Sequence, residues 1–118
     1  MFKTRPVLLI AGDTSLVPKL MARYSVRVLT CDADEAARLR GLGVDVIHGD
    51  LADVASIRTA TKDCYAVVGV VDGPEQGRNL IKVVAGADVE QFVLHAREGR
   101  EELDQYANAL GIHSEEMS

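Results

Sequence analysis

Glycines and carboxylates stand at the ends of short apolar segments, where they could bind a phosphate and a sugar hydroxyl. Gly12 directly follows the apolar segment at residues 7–11, and Asp32 comes soon after the segment at residues 26–30. Glycine permits a tight turn into a helix whose free backbone N–H groups can face an anion. A carboxylate about 20 residues beyond that glycine has the spacing of a ribose-binding residue. These positions predict half of a dinucleotide-binding fingerprint.

The glycine-rich half of the fingerprint departs from the usual pattern. A G-x-G-x-x-G motif starting at Gly12 would need glycines where the chain has Thr14 and Val17. A side chain at position 14 hinders the close approach of backbone and pyrophosphate. Ser15 can cap the following helix instead of binding a ligand. A domain that has lost nucleotide binding and serves as a protein-interaction module is therefore an alternative hypothesis.

Further polar residues follow the other apolar segments. In an open parallel sheet, ligands bind at the edge formed by the carboxyl ends of the strands. Several aspartates would meet there and repel an anionic ligand, so Arg97 is a candidate partner for a phosphate or carboxylate. The predicted cofactor-binding residues are Gly12, Asp13, Thr14, Ser15, Asp32, Ala33, Gly49, Asp50, Leu51, Asp72, Gly73 and Arg97.

Five apolar segments rich in β-branched residues predict the strands that position these residues. They lie at 7–11, 26–30, 44–47, 65–71 and 91–95, and each is followed by a helical pattern. The last helical pattern runs from Leu103 through Tyr106 to Gly111. Strands separated by single helices pair in parallel. We therefore predict a three-layer, doubly wound α/β fold, Rossmann-like, with strand order 3-2-1-4-5, and Ile112 and His113 as candidates for a short sixth strand.

The bulk composition indicates a single domain and disfavours several classes of function. The chain has 118 residues, of which 47% are hydrophobic, and a net charge of -5. Nucleic-acid binding needs clustered lysine and arginine, which the sequence lacks. No apolar segment reaches the roughly 20 residues of a membrane span. We expect a cytoplasmic domain at residues 1–113 with a polar tail at 114–118, and no metal site.

Three motifs follow one another along the chain: Gly49-Asp50, Asn79 in the helix after the fourth strand, and Ala96-Arg97 at the end of the fifth strand. Their order resembles the RCK N-domain, also called the TrkA-N domain, of potassium channels and transporters. The resemblance extends from about Pro6 to Ile112. It implies a regulatory domain that binds NAD(H) or an adenine nucleotide, forms a homodimer and signals to an attached or partner protein. The attached protein would belong to potassium transport or to the DHH-type phosphoesterases.

The same resemblance implies roles for individual residues. Asp32 would hold the adenosine ribose, Asp50 and Leu51 would flank the adenine, and Gly12 would face the phosphates. Asp32 without an adjacent arginine favours NAD over NADP, since a carboxylate repels a 2′-phosphate. Cys31 stands where a protein that binds NADP would place an arginine.

The segments VRVLT and GVDVIHGDLAD are also similar to NmrA-like atypical short-chain dehydrogenases. Active members of that family need a Tyr-x-x-x-Lys pair, whereas Tyr106 is followed by Leu110. Because no general acid for hydride transfer is visible, we expect that the chain is not an enzyme. A truncated NmrA-like redox sensor remains an alternative. A phospho-accepting receiver domain is disfavoured, because Asp72 and His95 stand where it needs a hydroxyl residue and a lysine.

Overall fold

Strands and helices alternate along the chain in the computed structural model, which describes residues 7–12, 14–15, 17–98, 101 and 105. The elements are β1 (Val7–Ala11), α1 (Val17–Leu20), β2 (Ser25–Thr30), α2 (Ala33–Gly41), β3 (Asp45–His48), α3 (Val54–Thr61), β4 (Ala66–Val71), α4 (Pro74–Ala85) and β5 (Gln91–Ala96). The predicted fifth helix and sixth strand fall largely or wholly outside the described residues, as does Asp13. The observed strands differ from the predicted ones by at most one residue at each end.

The strands form one parallel sheet in the order β3-β2-β1-β4-β5, which confirms the predicted topology. Central β1 pairs with β2 on one side and with β4 on the other. The chain builds outward from β1 to β3 and then returns to place β4 on the opposite side. This reversal creates a crevice at the carboxyl ends of β1 and β4, where ligands bind in open α/β sheets.

The two faces of the sheet pack against separate pairs of helices. Leu9 and Ala11 of β1 belong to a buried cluster that includes residues of α3 and α4. Leu8 and Ile10 point to the other face and join a cluster with Val17 of α1 and Leu39 of α2. This alternation follows from the two-residue period of a strand. All six residues of β4 are buried, as expected of an inner parallel strand covered on both faces.

The described helices are short, with 4 to 12 residues each. The longest described helix, α4, has 12 residues and begins with Pro74, whose missing N–H is tolerated in the first turn. Helix α1 comprises only 4 residues and also contains a proline, Pro18. Among the described helices, none is both long enough and apolar enough to cross a membrane.

Arg27 of β2 fastens the end of α3 to the sheet. Its Nη1 donates hydrogen bonds to the carbonyl oxygens of Ala60 and Lys62 at 2.8 and 2.7 Å. Its Nε donates to Asp45 Oδ2 on the neighbouring strand at 2.8 Å. Carbonyl groups in the last turn of a helix lack partners within the helix, so a guanidinium is a favourable cap. Arg27 thereby fixes the helix whose other end begins beside the crevice.

Candidate functional site

A cavity of about 430 Å³ opens at the carboxyl edge of the sheet, at the reversal of strand order. Its volume is in the range of small-molecule binding sites. The lining comes from the ends of β1 to β4 and the loops that follow them, together with α4 and the residue after β5. The residues that line it are Gly12, Thr14, Leu29, Thr30, Cys31, Gly49, Asp50, Leu51, Val70, Asp72, Gln76 and Arg97.

The cavity brings together most of the predicted cofactor-binding residues. Those that line it are Gly12, Thr14, Gly49, Asp50, Leu51, Asp72 and Arg97. Those that do not are Ser15, Asp32, Ala33 and Gly73, and Asp13 lies outside the described residues. The predicted set did not include the lining residues Leu29, Thr30, Cys31, Val70 and Gln76, although Cys31 was considered as the position of an NADP-binding arginine. Thr30 and Cys31 are the last residue of β2 and the first after it, so the strand-end rule that nominated Gly12 could have included both. Leu29 and Val70 lie one residue before a strand end, and Gln76 lies in α4.

Gly12 shapes the floor of the cavity. Its φ of 108° lies in a region that residues with side chains rarely adopt. A Cβ atom at this position would overlap the carbonyl oxygen of Val70 in β4. The loop after β1 can therefore pass close to β4 only because residue 12 is glycine. The backbone predicted to face the phosphates therefore lies directly against β4.

Asp32 caps α2, a role that the sequence analysis did not assign. Its Oδ1 accepts hydrogen bonds from the backbone N–H groups of Asp34 and Glu35 at 2.9 and 3.2 Å. Its own N–H donates to Thr30 Oγ1 at 3.1 Å. The cavity wall after β2 is consequently formed by Thr30 and Cys31 rather than by Asp32. Within the described part of the chain, Asp32 Oδ2 accepts no hydrogen bond and can accept one from a ligand.

The loop between β3 and α3 is fixed from two sides. Asn79 of α4 donates from Nδ2 to the carbonyl oxygen of Leu51 at 3.0 Å. Asp50 Oδ1 accepts the backbone N–H of Ala52 at 3.0 Å, which forms a tight turn. A Cβ atom at Gly49 would lie 2.7 Å from Ser56 Cβ, so glycine is required there too. Asn79, singled out in the sequence only as part of a motif, thus anchors a wall of the cavity.

An ion pair crosses the other rim of the cavity. Arg97 Nη1 lies 3.4 Å from Asp72 Oδ1, and both side chains are exposed. Gln76 Oε1 accepts the backbone N–H of Asp72 at 3.2 Å. An exposed ion pair contributes little to stability and exchanges readily for another partner. Arg97 can therefore offset one carboxylate of the cavity or turn to an anionic ligand.

A chain of hydrogen bonds joins the loop after β1 to α2. Thr14 Oγ1 donates to Glu35 Oε1 at 2.6 Å. Arg38 holds both oxygens of the same carboxylate, from Nη2 to Oε1 at 2.6 Å and from Nε to Oε2 at 3.2 Å. The Arg38 guanidinium, followed by the Thr14 hydroxyl, lowers the pKa of Glu35 below its ordinary value. Glu35 is therefore ionised at neutral pH beside the cavity.

The histidines and cysteines are dispersed over the sheet. His48 and His95 belong to β3 and β5 at opposite sides of the described sheet. Cys31 is exposed and Cys64 is buried, where desolvation raises the pKa of its thiol. Over the described ranges, no group of three or more histidine, cysteine, aspartate or glutamate residues could hold a metal ion.

Solved structures of nucleotide-dependent proteins share this fold. NADPH-dependent quinone oxidoreductase QOR2 of Escherichia coli, complexed with NADPH, is 17% identical with a TM-score of 0.76; the match covers 92% of this chain and 47% of that one. The TrkA-N domain of the Escherichia coli inner membrane protein ybaL is 18% identical with a TM-score of 0.72, over 99% and 89% of the two chains. The GsuK channel bound to NAD is 19% identical with a TM-score of 0.69, over 96% and 22%.

These likenesses establish the fold, and the chain spans about half the length of the quinone oxidoreductase. No curated protein sequence matches the chain. A family model described as NAD(P)H-binding matches residues 14–110, which is most of the sequence. This match confirms the predicted nicotinamide dinucleotide as the cofactor of the family, whereas the TrkA-N resemblance is supported by structure alone. The chain therefore belongs to the NAD(P)H-binding family.

Proposed function

We propose that this chain is a regulatory domain that binds NAD(H) at the carboxyl edge of its sheet and signals the bound state to an attached or partner protein. The observation that carries the proposal is the cavity at the reversal of strand order, in a chain of the NAD(P)H-binding family. The cavity is lined by residues on both sides of Gly12, with Thr30 and Cys31 on one side and Asp72 on the other. A ligand with two nucleotide halves can occupy both sides.

The lining residues favour a particular orientation of the cofactor. Asp50 and Leu51 form a wall after β3, which suits the adenine end, and Gly12 lies between the halves, which suits the phosphates. The nicotinamide end would then lie near Asp72 and Arg97. The loss of the second and third glycines of the motif would weaken the phosphate contacts. Affinity would therefore depend more on the ends of the cofactor than on its centre.

The proposal of a regulatory role is supported by the likeness of the fold to the ybaL TrkA-N domain, of which the match covers 89%. In this proposal the domain works in the cytoplasm as a homodimer and acts on an attached protein, in potassium transport by resemblance.

A second candidate function is the cofactor-binding half of a reductase. It is favoured by the likeness to the quinone oxidoreductase, of which the match covers 47%. A further segment would then supply the substrate site and the proton donor. The two candidates differ in turnover: a reductase oxidises NADH or NADPH in the presence of an acceptor, whereas a sensor binds the cofactor unchanged.

The test is a thermal-shift measurement with NAD, NADH, NADP, NADPH, ADP-ribose and AMP, followed by NADH oxidation assays with quinones. A ligand at 100 times its Kd adds about 2.7 kcal/mol, which shifts Tm by several degrees. The variant Cys31→Glu places a negative charge in the cavity wall and should abolish the shift. Ala22→Glu adds the same charge at an exposed turn away from the cavity and should retain it. The absence of any shift would favour the interaction module that has lost its ligand.

A further inference from the structure

We infer that Glu35 sets a preference for NAD(H) over NADP(H), because it holds Arg38 in an ion pair beside the cavity and so keeps Arg38 from binding a 2′-phosphate. The inference rests on the proposed binding of NAD(H). It concerns a specificity-determining residue on α2, outside the cavity lining and outside the residues nominated from the sequence. Both side chains belong to the described residues, and their contacts carry the argument.

The first step is the position of the ion pair. Thr14 lines both the main cavity and a groove of about 330 Å³ whose other lining residues include Ser15, Glu35 and Arg38. The groove therefore adjoins the cavity on the side where β2 ends and α2 begins. Adenosine ribose binds at the end of β2 in this fold, and a 2′-phosphate on that ribose would project toward the first turns of α2.

The second step is the chemistry of Arg38. Side chains on a helix tilt toward its N-terminus, so Arg38 is directed along α2 toward Glu35 and the end of β2. An arginine fork binds a phosphate in the same bidentate manner as it binds a carboxylate. Arg38 therefore has donors suited to a 2′-phosphate, but Glu35 already occupies them.

The third step is the cost of opening the pair. For Arg38 to bind a 2′-phosphate, it must leave Glu35, whose two contacts with Arg38 are 2.6 and 3.2 Å long. The released carboxylate would then stay beside the phosphate as a like charge. NAD carries a hydroxyl at this position and requires neither change. Glu35 thus disfavours NADP(H) by competing for Arg38 and by direct repulsion.

Thr14 holds the Glu35 carboxylate from the side opposite to Arg38. Its hydroxyl donates to the same Glu35 oxygen that Arg38 Nη2 contacts, so Glu35 is held between the loop after β1 and its own helix. The side chain of Glu35 is 26% exposed and that of Arg38 55%. Arg38 is therefore free enough to turn toward a ligand once Glu35 no longer holds it.

The test compares Kd values for NADH and NADPH, measured by cofactor fluorescence in the full chain. Glu35→Gln keeps the size of the side chain and an oxygen for Thr14, but it removes the negative charge and one of the two oxygens that hold Arg38. We expect the ratio of the NADPH Kd to the NADH Kd to fall by about tenfold or more, the scale of a charge-assisted hydrogen bond to phosphate. The double variant Glu35→Gln, Arg38→Ala should lose this gain.

Asp34→Asn is the matched control, because Asp34 is an exposed carboxylate next to Glu35 in the same turn, with no side-chain contact to Arg38 or Thr14 among the described residues. It should leave the ratio nearly unchanged. An equal fall in this variant, a ratio that does not change in Glu35→Gln, or a gain that persists without Arg38 would each overturn the inference. Wild-type protein that binds neither dinucleotide would instead overturn the proposed function and this inference with it.

Discussion

Replacement of Arg27 by methionine should remove much of the stability of the domain. The side chain of Arg27 is only 17% exposed, and its Nη1 donates to the carbonyl oxygens of Ala60 and Lys62 at the end of α3. Methionine retains most of the apolar stem, so the change isolates the charged head group. It leaves both carbonyl groups without their protein donor at a helix end that the sheet partly covers.

The size of the effect follows from these contacts. Hydrogen bonds from a charged donor contribute about 1.5–3 kcal/mol each. Because water can reach part of the site, each of the two contributes somewhat less than the low end of that range, and together they give a loss of about 2.5 kcal/mol. The ion pair with Asp45 adds little, because the Asp45 side chain is 59% exposed. At about 4 °C per kcal/mol for a domain of this length, Tm should fall by roughly 10 °C.

Urea unfolding followed by circular dichroism measures this loss directly. Asp45→Asn tests the ion pair alone and should cost less than about 1 kcal/mol. Arg23→Met is the matched control, since Arg23 is an exposed arginine in the turn before β2. A loss below about 1 kcal/mol for Arg27→Met, or an equal loss for Asp45→Asn, would show that capping of α3 by Arg27 does not stabilise the fold.

Four further changes test the site. Gly12→Ala should cost about 1–3 kcal/mol of stability in urea unfolding, since its Cβ would overlap Val70 and its φ is 108°; an unchanged midpoint would contradict this. Asn79→Leu removes the donor that holds Leu51, so calorimetry should record weaker binding of ADP-ribose but unchanged binding of nicotinamide mononucleotide. Asp32→Ser keeps a good helix cap but loses the carboxylate; unfolding should change little, while a fall in NAD affinity would assign the ribose to Asp32 and no fall would exclude it. Because the pKa of Glu35 is lowered, its ionised carboxylate stabilises the fold, and this stabilisation is fully present at a pH above the ordinary value of 4.5. The stabilisation is lost as the pH falls through the lowered pKa. The Tm advantage of wild type over Glu35→Gln should therefore be present at pH 7 and vanish in acid.

The parallel pairing of the strands was predictable, because apolar segments of strand length alternate with helical patterns along the chain. The order 3-2-1-4-5 is the one expected of the doubly wound fold that this alternation predicts. Residues after strands must then meet at one edge, which is why Asp50, Asp72 and Arg97 were found in the cavity. Arg27 was missed, because its partners lie on α3, more than thirty residues away, and no local pattern reveals them.

The limits of the site prediction are visible at the end of β2. Spacing located the region to within two residues, but it could not decide which of three consecutive side chains would face the cavity. That choice depends on hydrogen bonds of the backbone: the N–H groups at the start of α2 draw in the Asp32 carboxylate, and Thr30 and Cys31 form the wall instead. A polar residue that can cap a helix should therefore be considered as a cap before it is assigned to a ligand.

The same region gives three separate reasons to expect NAD(H) rather than NADP(H). Cys31 supplies no positive charge at the cavity wall, and Asp32 retains one carboxylate oxygen that could accept a hydrogen bond from a ribose hydroxyl. Glu35 holds Arg38 in an ion pair, so that Arg38 does not reach a 2′-phosphate. Cys31 and Asp32 act through the absence of attraction and through direct repulsion, whereas Glu35 acts by engaging a positive charge that the chain already carries. If the preference were reversed by Glu35→Gln alone, the groove beside Arg38 would already be suited to a phosphate, and the carboxylate of Glu35 would be what excludes it.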